Sequence, residues 1–111
     1  MVKTLLTSLI CNIRGVHDYS QPDCTEQIVL QREPHNTYDG NAIVVVTLKD
    51  KNVIGRIEKM YSAGLAAVMD HPRCPEIKAI LKGPAIKAYP ARRTIYLQFY
   101  GDVDTTFIGG F

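Results

Sequence analysis

The pattern of apolar and polar positions divides the chain into β-prone runs around a single helical stretch. Residues 3–13, KTLLTSLICNI, mix β-branched and apolar side chains and suit a first strand. GVHDYSQPDC follows with Gly15, Pro22 and two aspartates, the composition of a loop. EQIVLQR and AIVVVTL are two more β-prone runs, and the second is apolar at almost every position, as in a strand buried on both faces. The polar KDKN reads as a hairpin turn into a short strand, VIGRI. In EKMYSAGLAAVMD the period changes: Met60, Tyr61, Leu65, Val68 and Met69 fall close to helical spacing, with alanines between them. Gly64 inside that helix costs about 1 kcal/mol against alanine. A partner backbone packed closely against it would explain the residue. Pro72 and Pro75 stop the helix, since proline cannot donate and disfavours helical geometry just before it. IKAILKG then alternates like a strand, PAIKAYPARR is an irregular basic stretch, and TIYLQFYG alternates cleanly as a last strand. The tail, DVDTTFIGGF, has little local preference. The sum is a mainly β, α+β chain with one or two helices. Its five or six short strands are expected to close as a small barrel with the helix across one end or side.

Size and composition narrow this. The chain has 111 residues, enough for one domain spanning 1–111 and too few for two. At 46% hydrophobic it can build a core without disulfides or a metal. Cys11, Cys24 and Cys74 are odd in number and lack a framework spacing, which fits thiols acting as small hydrophobes in a reducing, cytoplasmic setting. MVKTLLTSLIC superficially resembles a signal peptide, but Thr4, Thr7 and Ser8 break its apolar run and it is better read as the first strand. No run approaches the roughly 20 apolar residues that span a bilayer, so no membrane partner is expected. The net charge of +2 is too small to announce a nucleic-acid binder, but its distribution says more. Lys78, Lys82, Lys87, Arg92 and Arg93 follow one another with no acidic residue between Glu76 and Asp102. Such a face could track phosphates, or it could be a solvated surface balanced from elsewhere in the fold. The cluster alone supports both equally.

Catalytic motifs are lacking. There is no G-x-S-x-G elbow and no phosphate-binding Gly-Lys-Ser/Thr loop. Nothing brings a cysteine beside His17, His35 or His71. HPRC has a zinc-like gap between His71 and Cys74 without a second ligand pair, so a helix-ending loop is the better account and neither metal nor cofactor is expected. These features argue against an enzyme.

The stretch LQREPHNTYDGNAI, residues 30–43, is richer than a turn requires. Turn chemistry explains Asn36, Asp39 and Gly40. It explains less well Tyr38 at the loop tip, or Arg32 and Asn41 flanking it. A tyrosine beside a carboxylate and amides is the set that grips an unstacked base: the ring stacks, and the polar groups bond hydroxyls or base edges. With Arg56, Lys59 and the basic stretch 78–93, a single-stranded nucleic acid is a plausible guest.

IVLQREPHNTYDGNAIVVV followed by VIGRIEKMYSAGLAAVMD resembles the HIRAN domain, over about residues 13–101. That module is often found at the N-terminus of Swi/Snf-type fork-remodelling helicases and also alone in small bacterial proteins. The resemblance implies an OB-like barrel that binds single-stranded DNA at a free 3′ end, in a DNA-repair or replication-fork context. By the same resemblance Tyr38 and Asp39 form much of the end pocket, with Asn36 nearby. Asp39 would accept a hydrogen bond from the 3′-hydroxyl and Tyr38 would pack on the last nucleotide. Arg56 and Lys59 fall where the family places basic side chains near phosphates, and Tyr89 is taken as the counterpart of a late aromatic. One segment departs from the pattern. Where eukaryotic DNA-binding members show a basic residue and two aromatics, this chain has His17, Asp18 and Tyr19. Asp18 removes a stacking surface and adds a negative charge.

Three readings follow. The first is a non-catalytic module for single-stranded DNA or DNA 3′ ends, with a helicase or nuclease in trans as a further candidate partner. The second is a protein-interaction or accessory domain on the same barrel, its DNA pocket decayed. The third, an enzyme acting on nucleic acid, lacks a visible metal or nucleophile.

Overall fold

The computed structural model describes residues 3–102. Six strands and one α-helix occur in the order β1 (Lys3–Arg14), β2 (Ile28–Arg32), β3 (Ile43–Thr47), β4 (Val53–Ile57), α1 (Lys59–Asp70), β5 (Glu76–Ile86) and β6 (Arg92–Asp102). All neighbouring strands are antiparallel, and the sheet closes in the order β1-β4-β3-β2-β5-β6. This is the small OB-like α+β barrel expected. Its strands are less uniformly short than expected, since β1, β5 and β6 span 12, 11 and 11 residues.

Alternation sets the core. Along β6, Arg93, Ile95, Leu97 and Phe99 are buried while Thr94, Tyr96, Gln98 and Tyr100 are only partly covered. Ile13, Ile43, Val45 and Ile54 meet them inside. All five residues of β3 are buried, as its unbroken apolar run predicts. Gly55 is required where β4 crosses β1: a Cβ there would stand 2.9 Å from the Arg14 carbonyl oxygen. A single 3-10 turn, Val16–Asp18, interrupts the loop after β1 and sets Val16 in the core with 0% exposure.

α1 carries the chain between β4 and β5, which are not neighbours in the barrel, and lays Leu65 and Ala66 into the core. Its first turn has no side-chain cap. Glu58 instead turns its carboxylate to the Asn12 amide (3.1 Å) and the Arg14 guanidinium (2.9 Å), tying the helix start to β1. No backbone packs on Gly64, contrary to expectation, because nothing lies within 4 Å of where its Cβ would be. The residue is exposed. Gly64→Ala is therefore expected to stabilise the fold by about 1 kcal/mol, raising the urea midpoint with an unchanged slope. A lowered midpoint would show that the open site is needed.

The stretch PAIKAYPARR is less irregular than its composition suggests. β5 runs on to Ile86, past Pro84, through a register shift between Lys82 and Ile86, with Gly83 at a φ of +82°. The cysteines also divide. Cys11 is buried, and burial, with the nearby Glu58 charge second, pushes its thiol up to about 11, so it stays neutral. Cys24 and Cys74 are exposed and do not serve as core hydrophobes, because each lies in a polar loop. The Cys24 Sγ donates to the Gly83 carbonyl (3.3 Å) and the Cys74 Sγ to that of Pro75 (3.2 Å). No helix of the described residues is long and apolar enough to cross a membrane. Beyond Asp102, the tail lies outside the described residues.

Candidate nucleic-acid interface

The β2–β3 connection, residues 33–42, is braced from below. Arg32, the last residue of β2, donates Nε and Nη2 to the two oxygens of Asp70 (3.0 and 3.1 Å) at the end of α1. The same guanidinium bonds the carbonyls of Ala42 (2.8 Å) and Gly40 (2.9 Å). It therefore closes the base of the loop and holds the Asp70 carboxyl below the usual carboxylate range. Arg32 is a strut of the loop rather than a ligand-facing group. Asn36 is also partly committed, since its Oδ1 accepts the amides of both Tyr38 (2.9 Å) and Asp39 (3.0 Å). Asp39 Oδ1 in turn accepts the Asn41 amide at 2.9 Å. That bond takes one of its two carboxylate oxygens. The Tyr38 side chain stands at the tip with 97% of the residue exposed.

Glu33, the first residue of this connection, receives Nε of Arg56 at 3.1 Å, and Nη1 of Arg56 donates to the Tyr19 hydroxyl at 3.1 Å. These bonds, Glu33 foremost, push the Arg56 pKa up from its ordinary value. They bring together three candidates from distant parts of the sequence: the Tyr38 loop, Arg56 on β4, and Tyr19 after β1. Lys59 opens α1 three residues beyond Arg56 and is exposed. His17 lies on the 3-10 turn with its Nε2 3.3 Å from the Asp18 carboxylate. Tyr89 is on the separate β5–β6 connection, 99% exposed, and none of the bonds above holds it.

The five-cation stretch is reshaped. Arg93 is 2% exposed and points inward, in line with Ile95 and Leu97, so it does not belong to the basic face. Lys78 and Lys82 are on the outside, over the rings of Tyr100 and Tyr96 (5.1 and 5.3 Å). Arg14, which nothing in the sequence marks, is paired by strand register with Arg56 on one side and Arg92 on the other. Only register could have revealed it.

A larger cleft, about 760 Å³, opens between the β1–β2 connection and the β3–β4 turn. It shares Tyr19 with the cluster above but sets Asp18, Glu26 and Asp50 against Lys51, a poor environment for phosphates. Among the described residues no three His, Cys, Asp or Glu side chains gather to hold a metal.

Residues 5–103 match the HIRAN domain. The chain belongs to the HIRAN domain family. That is a family of DNA-binding modules, and the match extends farther into β1 than the motif-based limits of 13–101. The crystal structure of the HIRAN domain of human HLTF superposes with a TM-score of 0.77 at 27% identity, covering 90% of this chain and 80% of that one. A Lactobacillus plantarum protein shares the fold, with a TM-score of 0.67 at 20% identity over 91% and 98% of the two chains. In sequence, the rabbit helicase-like transcription factor is 38% identical over 76 residues, 68% of this chain. A putative SWI/SNF-related matrix-associated actin-dependent regulator of chromatin, subfamily A member 3-like 1, from Arabidopsis thaliana is 40% identical over 67 residues, 60% of this chain. The aligned part spans only 7% and 8% of those two proteins. The likeness is therefore to a small part of each of those proteins.

Proposed function

We propose that this HIRAN domain binds single-stranded DNA at a free 3′ end, without catalysis of its own. One observation carries the reading: an almost fully exposed tyrosine, Tyr38, on a tip whose backbone is fixed by Asn36, Asp39 and Arg32. Leaving an aromatic ring in water forgoes its burial. Fixing the loop beneath it removes much of the ordering cost a ligand would otherwise meet. The ring offers a stacking face for the terminal base, and Asp39 offers a carboxylate oxygen to the 3′-hydroxyl. Asn36 frames both. Arg56 and Lys59 face the adjoining phosphates, with Tyr19 and His17 on the flank and Tyr89 as an outlying aromatic. Because relatives carry this domain within helicase-like proteins, a helicase or nuclease acting on the same end in trans is the protein partner we propose.

Fluorescence anisotropy with short labelled oligonucleotides tests this. Single strands ending in a 3′-hydroxyl should bind more tightly than those ending in a 3′-phosphate or than a blunt duplex, and the affinity should fall as salt rises. Equal binding of all three would remove the end-specific reading.

Asp18 favours a second reading, an accessory domain whose DNA pocket has decayed. Its carboxylate stands where an aromatic is expected, and it is exposed. That reading requires a folded protein that binds no oligonucleotide even at low salt.

A further inference from the structure

The outer face of β1, β6 and β5 continues from the loop site. Arg56, bonded to Glu33 at the loop's first residue, is directly opposite Arg14, and Arg14 is directly opposite Arg92. Like charges facing each other across strands are destabilising, yet three stand abreast. Glu33 and Glu58 compensate Arg56 and Arg14, whereas Arg92 donates to the Pro90 carbonyl of its own loop. Arg14 Nη1 is buried with no acceptor among the described residues. The row is short of negative charge.

Beyond it the register orders the same face. Lys82 pairs with Thr94, Ile80 with Tyr96, Lys78 with Gln98, and Glu76 with Tyr100. Lysine and tyrosine thus alternate in depth along the face, each ammonium over the ring on the next row but one. The two tyrosines are four residues apart on one strand, about 13 Å. Ile10 and Ile80 flank Tyr96 on either side and remain 61% and 41% exposed, extending its apolar platform. The acid on these rows, Glu76, is already bridged to Lys3 at 3.6 Å. A face of cations interleaved with partly exposed rings is what an unpaired polynucleotide needs, phosphates following the cations and bases stacking on the rings.

We propose that the single strand held at its end by the Tyr38 loop continues over this face, its phosphates met by Arg92, Lys82 and Lys78 and its bases by Tyr96 and Tyr100. The inference rests on the end-binding reading for its starting point. It adds a strand path and a minimum length. Short strands engage the loop alone, and longer ones gain affinity as they reach β6.

The test compares oligothymidylates of increasing length, all ending in the same 3′-hydroxyl. The wild-type domain should bind the longer strands at least tenfold more tightly than the shortest. The double substitution Lys78→Glu and Lys82→Glu, both on exposed positions, should erase that gain, leave the shortest strand unaffected, and flatten the log–log salt slope by about 1.4 for long strands. Tyr96→Thr, which retains strand propensity, should lose part of the gain, and Tyr96→Phe should restore it. Affinity independent of length, or equal loss on short and long strands in the double variant, would overturn the path while leaving the loop site intact. Failure of the end-binding reading looks different: length-dependent binding would survive Tyr38→Ala and ignore the chemistry of the 3′ end. A wild-type domain that binds no strand but self-associates, losing that in the double variant, would assign the face to a second copy and overturn the proposal.

Discussion

Arg93→Met is expected to cost about 3 kcal/mol of stability, although the guanidinium bonds no carboxylate. The cation is almost fully buried between β6, the bend of β5 and the β1–β2 connection. Its Nε donates to the Gly83 carbonyl (3.0 Å), its Nη1 to the Pro22 carbonyl (2.7 Å) and to Gln21 Oε1 (3.4 Å), and its Nη2 approaches Cys24 Sγ at 3.6 Å. Methionine keeps most of the volume and relieves the desolvation of a buried charge, which favours the variant. Against this, the Pro22 carbonyl loses its donor and the Gly83 carbonyl keeps only the weak Cys24 Sγ–H, losses of roughly 1–3 kcal/mol each. The second effect is the larger, because methionine offers no donor to these acceptors, which the guanidinium bonds in a part-buried setting. Lysine should not rescue, since one ammonium cannot reach acceptors spread around a planar fork. Urea unfolding of the three proteins would measure this, and an unchanged midpoint for Arg93→Met would mean that water replaces the guanidinium. Since Arg93 also tethers residues 21–24, just beyond Tyr19, the variant should weaken DNA binding through the flank of the site without touching its centre.

Arg93 also shows what the sequence disclosed and what it concealed. Period two was visible in TIYLQFYG, and continued backwards it puts Arg93 on the inner side with Ile95, Leu97 and Phe99. Charge argued the opposite, and a cluster of cations looked like a surface. β3 and α1 were legible because their patterns are local and uninterrupted. The second half of β5 was not, since Gly83 and Pro84 look like a break; cross-strand pairing of Ile86 with Arg92 resumes the strand after the shift. In the candidate site, the turn residues around Tyr38 could be read in advance, as Asx-type bonding is a local property. The work of Arg32 could not, because its partner Asp70 is 38 positions away. Nor could the row Arg92–Arg14–Arg56, which exists only through closure of the barrel.

Tyr38→Ala should weaken binding of every single-stranded end by about 1–3 kcal/mol, the range for loss of one stacked base, while Tyr38→Phe should retain nearly all of it. Unfolding should be unaffected in both, because the ring is in water and the loop is held by backbone bonds to Asn36 and Asp39. Asp39 separates the two ends of the chemistry. A carboxylate accepts a hydrogen bond from a 3′-hydroxyl and repels a 3′-phosphate, so Asp39→Asn should lower affinity for the first by about 1.5–3 kcal/mol, the span for hydrogen bonds to charged groups, and raise it for the second. Asparagine is the informative replacement, as its side-chain oxygen can still accept the Asn41 amide that Asp39 accepts at 2.9 Å. Asp39→Ala loses that bond as well, so its effect would combine a lost ligand contact with a loosened tip. If Asp39→Asn reduced binding of both ends equally, the carboxylate would be acting on the loop and not on the terminus. The exposed Tyr38 would then need another explanation than an end pocket, such as a base stacked anywhere along a strand.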